Sequence, residues 1–122
     1  MANNRIVHFE IPANQPEALT KFYSELFGWK FHKAPMPGPE YWLCETGSDG
    51  SGIGGAVMQR QDPQQPWMNY VDVASIEAAI ERATKLGGKV ALPRTPIPGV
   101  GAVAAIIDPQ GNIFGLWEKA NT

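Results

Sequence analysis

The residues best placed to do chemistry lie close together near the start of the chain, in the stretch RIVHFEIP, residues 5–12. Side chains alternate along a strand, so Ile6, His8 and Glu10 share one face, while Val7, Phe9 and Ile11 share the other. The second face is core. The first offers an imidazole and a carboxylate two residues apart, a pattern that suits two ligands of a metal, a charge pair in a binding cavity, or polar residues on a solvated side of a sheet. As acid and base, His8 and Glu10 are the candidate catalytic residues, since a histidine beside a carboxylate can be tuned for proton transfer near neutral pH.

Little else in the chain suggests reactive chemistry. The single cysteine, Cys44, excludes an intrachain disulfide and a cysteine-based zinc cluster. No adjacent His or Lys is evident to lower its pKa, so it reads as a packed thiol. The glycine-rich GSDGSGIGG leads into a strand and lacks the helix start that makes a phosphate loop. The chain has 122 residues and a net charge of -2, with no basic run to meet a nucleic-acid backbone. No apolar run is long enough to span a bilayer, and MANNRIVHFE lacks a signal pattern. The expectation is one soluble, cytoplasmic domain with neither nucleic acid nor membrane as partner.

The elements that must position His8 and Glu10 follow from periodicity. In ANQPEALTKFYSELFGWKF, the residues Ala18, Leu19, Phe22, Tyr23 and Leu26 fall at helical spacing, Gly28 offers a stop, and Asn14 with Glu17 forms a capping-box pattern. Trp29 to Phe31 begin a strand that APMPGPE cuts short. Residues 41–46 (YWLCET) and 53–61 (IGGAVMQRQ) are strands around the GSDGSG turn. WMNYVDV (67–73) opens a second round, followed by a helix capped by Ser75, carrying Ala79, Ile80, Ala83 and Leu86, and closing at Gly87 and Gly88. KVAL, GAVAAIID and NIFGLWE are three further strands, separated by a PRTPIPG loop and a DPQG turn. A shift of 60 places lays strand 5–11 on 65–71, and Ala18, Leu26 and Gly28 on Ala78, Leu86 and Gly88. The chain therefore reads as two tandem βαβββ modules, about 5–61 and 65–119, in an α+β fold.

This pattern resembles the vicinal oxygen chelate superfamily, which includes glyoxalase I, fosfomycin- and bleomycin-resistance proteins, extradiol dioxygenases and methylmalonyl-CoA epimerase. The residues that carry the resemblance are His8 in VHFEI, FYSELFGW closing the first helix, LGGKV closing the second, and DPQGNIFGLWE at the end. The resemblance implies that the modules curl into a half-barrel cup, that a divalent metal in the cup acts as a Lewis acid, and that proteins of this size pair as homodimers. It places His8 at the first ligand position, but puts Met58, Met68 and Gly115 at the other three. Thioethers are weak ligands for the usual hard or borderline cations and glycine is none, so no metal and no other cofactor is expected.

Parity then gives a list of expected pocket residues: Ile6, Met58, Arg60, Met68, Tyr70, Asp72, Ile113, Gly115 and Trp117, with Trp42 and Cys44 as alternates of unfixed phase. Arg60 could pair with an anion, and Gly115 would leave room where a carboxylate would project. The expected function is a glyoxalase-like protein that binds a small organic molecule, without glyoxalase I (lactoylglutathione lyase) activity. The alternative is a metal-dependent lyase, isomerase or dioxygenase using His8 with substituted carboxylates such as Glu10 and Asp72, or Glu45 or Glu118. A third reading is a dimeric regulatory module whose cup is filled by its own side chains.

Overall fold

The computed structural model describes residues 2–35, 37–47 and 49–120. The elements run β1 (Ile6–Ala13), α1 (Pro16–Phe27), β2 (Lys30–Lys33), β3 (Tyr41–Glu45), β4 (Gly54–Gln59), β5 (Met68–Asp72), α2 (Ile76–Lys85), β6 (Lys89–Ile97), β7 (Gly101–Ile107) and β8 (Ile113–Lys119). This is βαβββ twice, in an α+β fold. The chain forms two compact units: Val7–Met68, and the residues from Asn69 onward together with those up to Ile6. Met36 in the APMPGPE loop and Ser48 in the GSDGSG turn lie outside the described residues.

In the first unit the strand order is β2-β3-β4-β1. β1 and β4 run parallel, and the pairs β2/β3 and β3/β4 are antiparallel. Phe9, Ile11, Ala13, Cys44 and Val57 are buried on one face, packed with Leu19 and Tyr23 of α1 and with Trp29, Phe31 and Trp42. Burying one such aliphatic or aromatic side chain stabilises the fold by about 1.5–3 kcal/mol. The rings of Tyr23 and Trp29 stack with centroids 5.3 Å apart, and Phe9 lies against Trp67 at 5.7 Å. This packing fixes the phase of β3: Trp42 and Cys44 face the helix, so Tyr41, Leu43 and Glu45 face the other way.

α1 starts differently from its capping-box pattern. Pro16 occupies the first turn, Gln15 stands at the N-cap, and no side chain caps it. Proline fixes its own φ and constrains the residue before it, which moves the start one residue past Asn14. Asn14 instead accepts a hydrogen bond from Arg60 Nε at 3.0 Å. The far end agrees with the sequence: Gly28 closes the helix at φ 76, donating its N–H to the Ser24 carbonyl at 2.8 Å.

In the second unit the order is β5-β8-β7-β6, with β5 and β8 parallel and the other pairs antiparallel. Ile76, Val73, Ala102, Ala104, Ile106 and Leu116 form the core under α2. Ser75 caps α2 by accepting the Ala78 N–H at 3.1 Å. β6 runs through the PRTPIPG segment that the sequence marks as a loop. It is a solvent-exposed edge strand with two register irregularities, so Pro93 and Pro96 can sit in it without costing the sheet a central hydrogen bond. Among the described residues no helix is long and apolar enough to cross a membrane.

Candidate functional site

With Phe9 and Ile11 committed to the core under α1, His8 and Glu10 project from the opposite face of β1. The parallel register fixes their backbone beside β4, His8 opposite Gly54 and Glu10 opposite Ala56. Their side chains are 31% and 20% exposed, and His8 Nε2 stands 3.8 Å from Glu10 Oε2. A third residue joins them. The hydroxyl of Tyr41 donates to Glu10 Oε2 at 2.8 Å and lies 3.0 Å from His8 Nε2.

A carboxylate oxygen only accepts, so the Tyr41 hydroxyl donates its one proton to Glu10, and the tautomer of His8 with its proton on Nε2 is the one that can donate to the same phenol oxygen. Tyr41 belongs to β3, two strands from β1, and must cross β4 to reach its partners. On β4 the residue opposite Tyr41 is Met58, and the next on the same face is Ala56, small, fully buried and opposite Glu10 of β1. Sequence reasoning did not find Tyr41: in YWLCE both parities begin with an aromatic residue, so alternation alone does not say which one faces His8.

Met58 lies on the same face as His8, half-buried, with its sulfur 3.7 Å from Gln65 Nε2. Arg60 lies just past β4, and its guanidinium is engaged within the chain. It donates to Asn14 Oδ1, to the Gln65 carbonyl at 2.7 Å and to the Pro12 carbonyl at 3.3 Å, tying the end of β1 to the segment after β4. Met68 begins β5, half-buried. Cys44 is buried against the helix, and burial, with the neighbouring Glu45 carboxylate, pushes its thiol up to about 11. It is therefore protonated at neutral pH, and a poor nucleophile.

In the second unit Tyr70, Asp72, Ile113, Gly115 and Trp117 share the face of β5 and β8 turned away from α2. Tyr70 sits opposite Gly115, and a Cβ at Gly115 would overlap the Tyr70 ring. The room expected at Gly115 is thus filled by an aromatic ring from the adjacent strand. Asp72 is held through its backbone, its N–H donating to the Arg5 carbonyl at 2.8 Å and its carbonyl accepting from Asn4 N–H at 2.9 Å. Ile6, at the start of β1, is exposed. Glu118 points to the helix side: Oε1 accepts the Ile76 N–H at 2.7 Å and Oε2 pairs with Arg94 at 2.9 Å. Those contacts, the Arg94 hydrogen bond first, hold its carboxyl below the ordinary value.

The four ligand positions implied by the resemblance hold one imidazole, two thioethers and a glycine that has no space for a side chain. Among the described residues no group of three or more His, Cys, Asp or Glu is placed to hold a metal ion. This donor set does not fit a hard or borderline divalent cation at those positions.

The chain is 28% identical to CFP32 of Mycobacterium tuberculosis over 115 residues, covering 89% of this chain and 43% of that protein. It thus spans less than half the length of that relative. It is 35% identical to a glyoxylase-like domain-containing protein of Didymella fabae over 92 residues, 71% of each chain. Methylmalonyl-CoA epimerase of Mycobacterium tuberculosis has the same fold, with a TM-score of 0.72 at 15% identity, covering 98% of this chain and 90% of the epimerase. The model of the Glyoxalase/Bleomycin resistance protein/Dioxygenase superfamily matches residues 5–116, and by that match the chain belongs to this superfamily.

Proposed function

We propose that the chain binds a small organic molecule on the face of the first unit that carries His8, Glu10 and Tyr41, using hydrogen bonds in place of the metal usual among relatives of this fold. The observation that carries this reading is the Tyr41 hydroxyl, which links His8 and Glu10 into one hydrogen-bonded row. Such a row orients a polar group and can pass a proton along it. Met58 and the half-exposed Leu43 supply apolar surface on the same face, as small-molecule sites require. On this reading glyoxalase I chemistry is absent, because an enediolate formed there would lack strong electrostatic stabilisation. A cytoplasmic, homodimeric protein belongs to the same reading. The exposed Phe22, Leu26 and Phe27 on α1 favour self-association, which sedimentation equilibrium tests.

The experiment is a thermal-shift screen with aromatic and hydroxylated small molecules on wild type and His8→Ala. A ligand at a hundred times its Kd stabilises by about 2.7 kcal/mol, a shift of several degrees for a domain of this size. Loss of that shift in a folded His8→Ala variant supports the reading, and an unchanged shift overturns it. A second reading, a metal-dependent lyase, isomerase or dioxygenase, is favoured by the closeness of the His8 and Glu10 donors. Metal-stimulated turnover of the methylglyoxal–glutathione hemithioacetal would put that reading first.

A further inference from the structure

Outside the His8 row, the segment that follows β4 shapes another concave surface within the first unit. Asn14, Arg60, Gln61, Asp62 and Pro63 line an open cavity of about 580 Å³, within the size range of small-molecule sites. A guanidinium has five N–H groups, and Arg60 donates three of them to neutral acceptors: Asn14 Oδ1, the Gln65 carbonyl and the Pro12 carbonyl. Among the described residues no carboxylate forms an ion pair with it, although Asp62 is close in the chain and lines the same cavity. The Asp62 carboxylate is engaged with the backbone instead, Oδ1 accepting the Gln64 N–H at 2.8 Å. A fixed cation and a fixed anion thus line one cavity without neutralising each other.

We infer that this cavity is a seat for a small zwitterion of the α-amino acid type, its carboxylate on Arg60 and its ammonium on Asp62. The other polar groups divide in the same sense. Asn14 turns its side-chain oxygen to Arg60, which leaves the Nδ2 protons as donors for the ligand carboxylate. Gln61 donates from Nε2 to the Gln59 carbonyl, which leaves Oε1 as an acceptor for the ligand ammonium. A pure anion would meet the Asp62 carboxylate and a pure cation the Arg60 guanidinium, whereas a zwitterion satisfies both. The groups are also set in advance: three hydrogen bonds hold Arg60, and the Gln61 N–H donates to Gln65 Oε1 at 2.7 Å. Little ordering is then left for the ligand to impose.

The test is an NMR titration of the isotope-labelled chain with glycine, acetate and methylamine in turn, followed at the backbone amides of Asn14, Gln61 and Asp62. Glycine should give saturable shifts in about the millimolar range, at least about tenfold tighter than acetate or methylamine, since each of these lacks one charge-assisted contact. In Asp62→Asn, which keeps an oxygen for the Gln64 N–H, the preference for glycine over acetate should vanish. Arg60→Gln should lose glycine binding, and His8→Ala should leave it unchanged. Acetate or methylamine binding as tightly as glycine, a glycine preference that survives Asp62→Asn, or no saturable shift at these amides overturns the inference. A response lost in a folded His8→Ala variant puts the ligand on the His8 face and overturns it as well. If Arg60→Gln does not fold, the Asp62→Asn comparison decides alone.

Discussion

The two units follow one chain plan and fill corresponding places in different ways. Glu10 pairs with Ala56 in the first unit and Tyr70 with Gly115 in the second, so the repeat spans 60 residues at the first strand (70 − 10) and 59 at the last (115 − 56). Each unit thus puts a small residue at the same point of its final strand, and each has a tyrosine on the same face. In the first, Tyr41 comes from β3 and extends its hydroxyl to His8 and Glu10. In the second, Tyr70 comes from β5 and lays its ring over Gly115. In the first unit the tyrosine joins a histidine and a carboxylate of its own sheet. The position of His8 is repeated as Met68 and that of Glu10 as Tyr70.

The comparison can be broken most forcefully at Gly115. Gly115→Glu, which restores a carboxylate at the implied ligand position, should destabilise the protein by about 3 kcal/mol, because the new side chain overlaps Tyr70. Tyr70→Ala in the same chain should recover part of that loss, and denaturant unfolding of the four proteins in the cycle measures the coupling. Ala56→Leu tests the matching position and should cost about 1–3 kcal/mol by displacing the Tyr41 ring, with a changed His8 imidazole signal in NMR spectra. An unchanged His8 signal would mean that Tyr41 does not depend on a small residue at 56. Tyr41→Phe is milder, at about 1 kcal/mol for a part-buried hydrogen-bonded hydroxyl.

The smallest effect is a pH dependence in the second unit. Arg94 and the Ile76 N–H hold the Glu118 carboxyl below its ordinary value of 4.5. A lowered folded value means that the folded state binds fewer protons than the unfolded state across this range. The stabilisation is therefore fully present above pH 4.5 and is lost as the pH falls through the folded value. Glu118→Gln should flatten the acid limb of stability against pH, while Glu10→Gln should leave that limb's Glu118 component in place.

The order of elements was legible in the sequence because hydrophobic period and glycine stops agree along most of the chain. The face of His8 and Glu10 was legible because Phe9 and Ile11 leave no doubt about which side of β1 is core. Where several residues competed for one role, the reading failed. Asn14 and Glu17 make a capping pattern, but Pro16 set the helix start. Pro93 and Pro96 signal a loop, yet an edge strand needs hydrogen bonds on one side only. Gly115 looked like open space because the ring that fills it comes from a strand more than forty residues earlier in the chain, a placement that only pairing determines. Glu118, weighed as a replacement ligand, turned out to cap α2, since its parity puts it on the helix side of β8.

Cys44 gives this molecule a clock. Its thiol is 4% exposed and pushed up to about 11, so a disulfide reagent reacts with it only when α1 lifts from the sheet of the first unit. Because it is the chain's one sulfhydryl, the rate of labelling reports the opening of that unit alone, with no second thiol to confuse the signal. A ligand that settles on the His8 face would slow the clock without needing any spectroscopic change of its own.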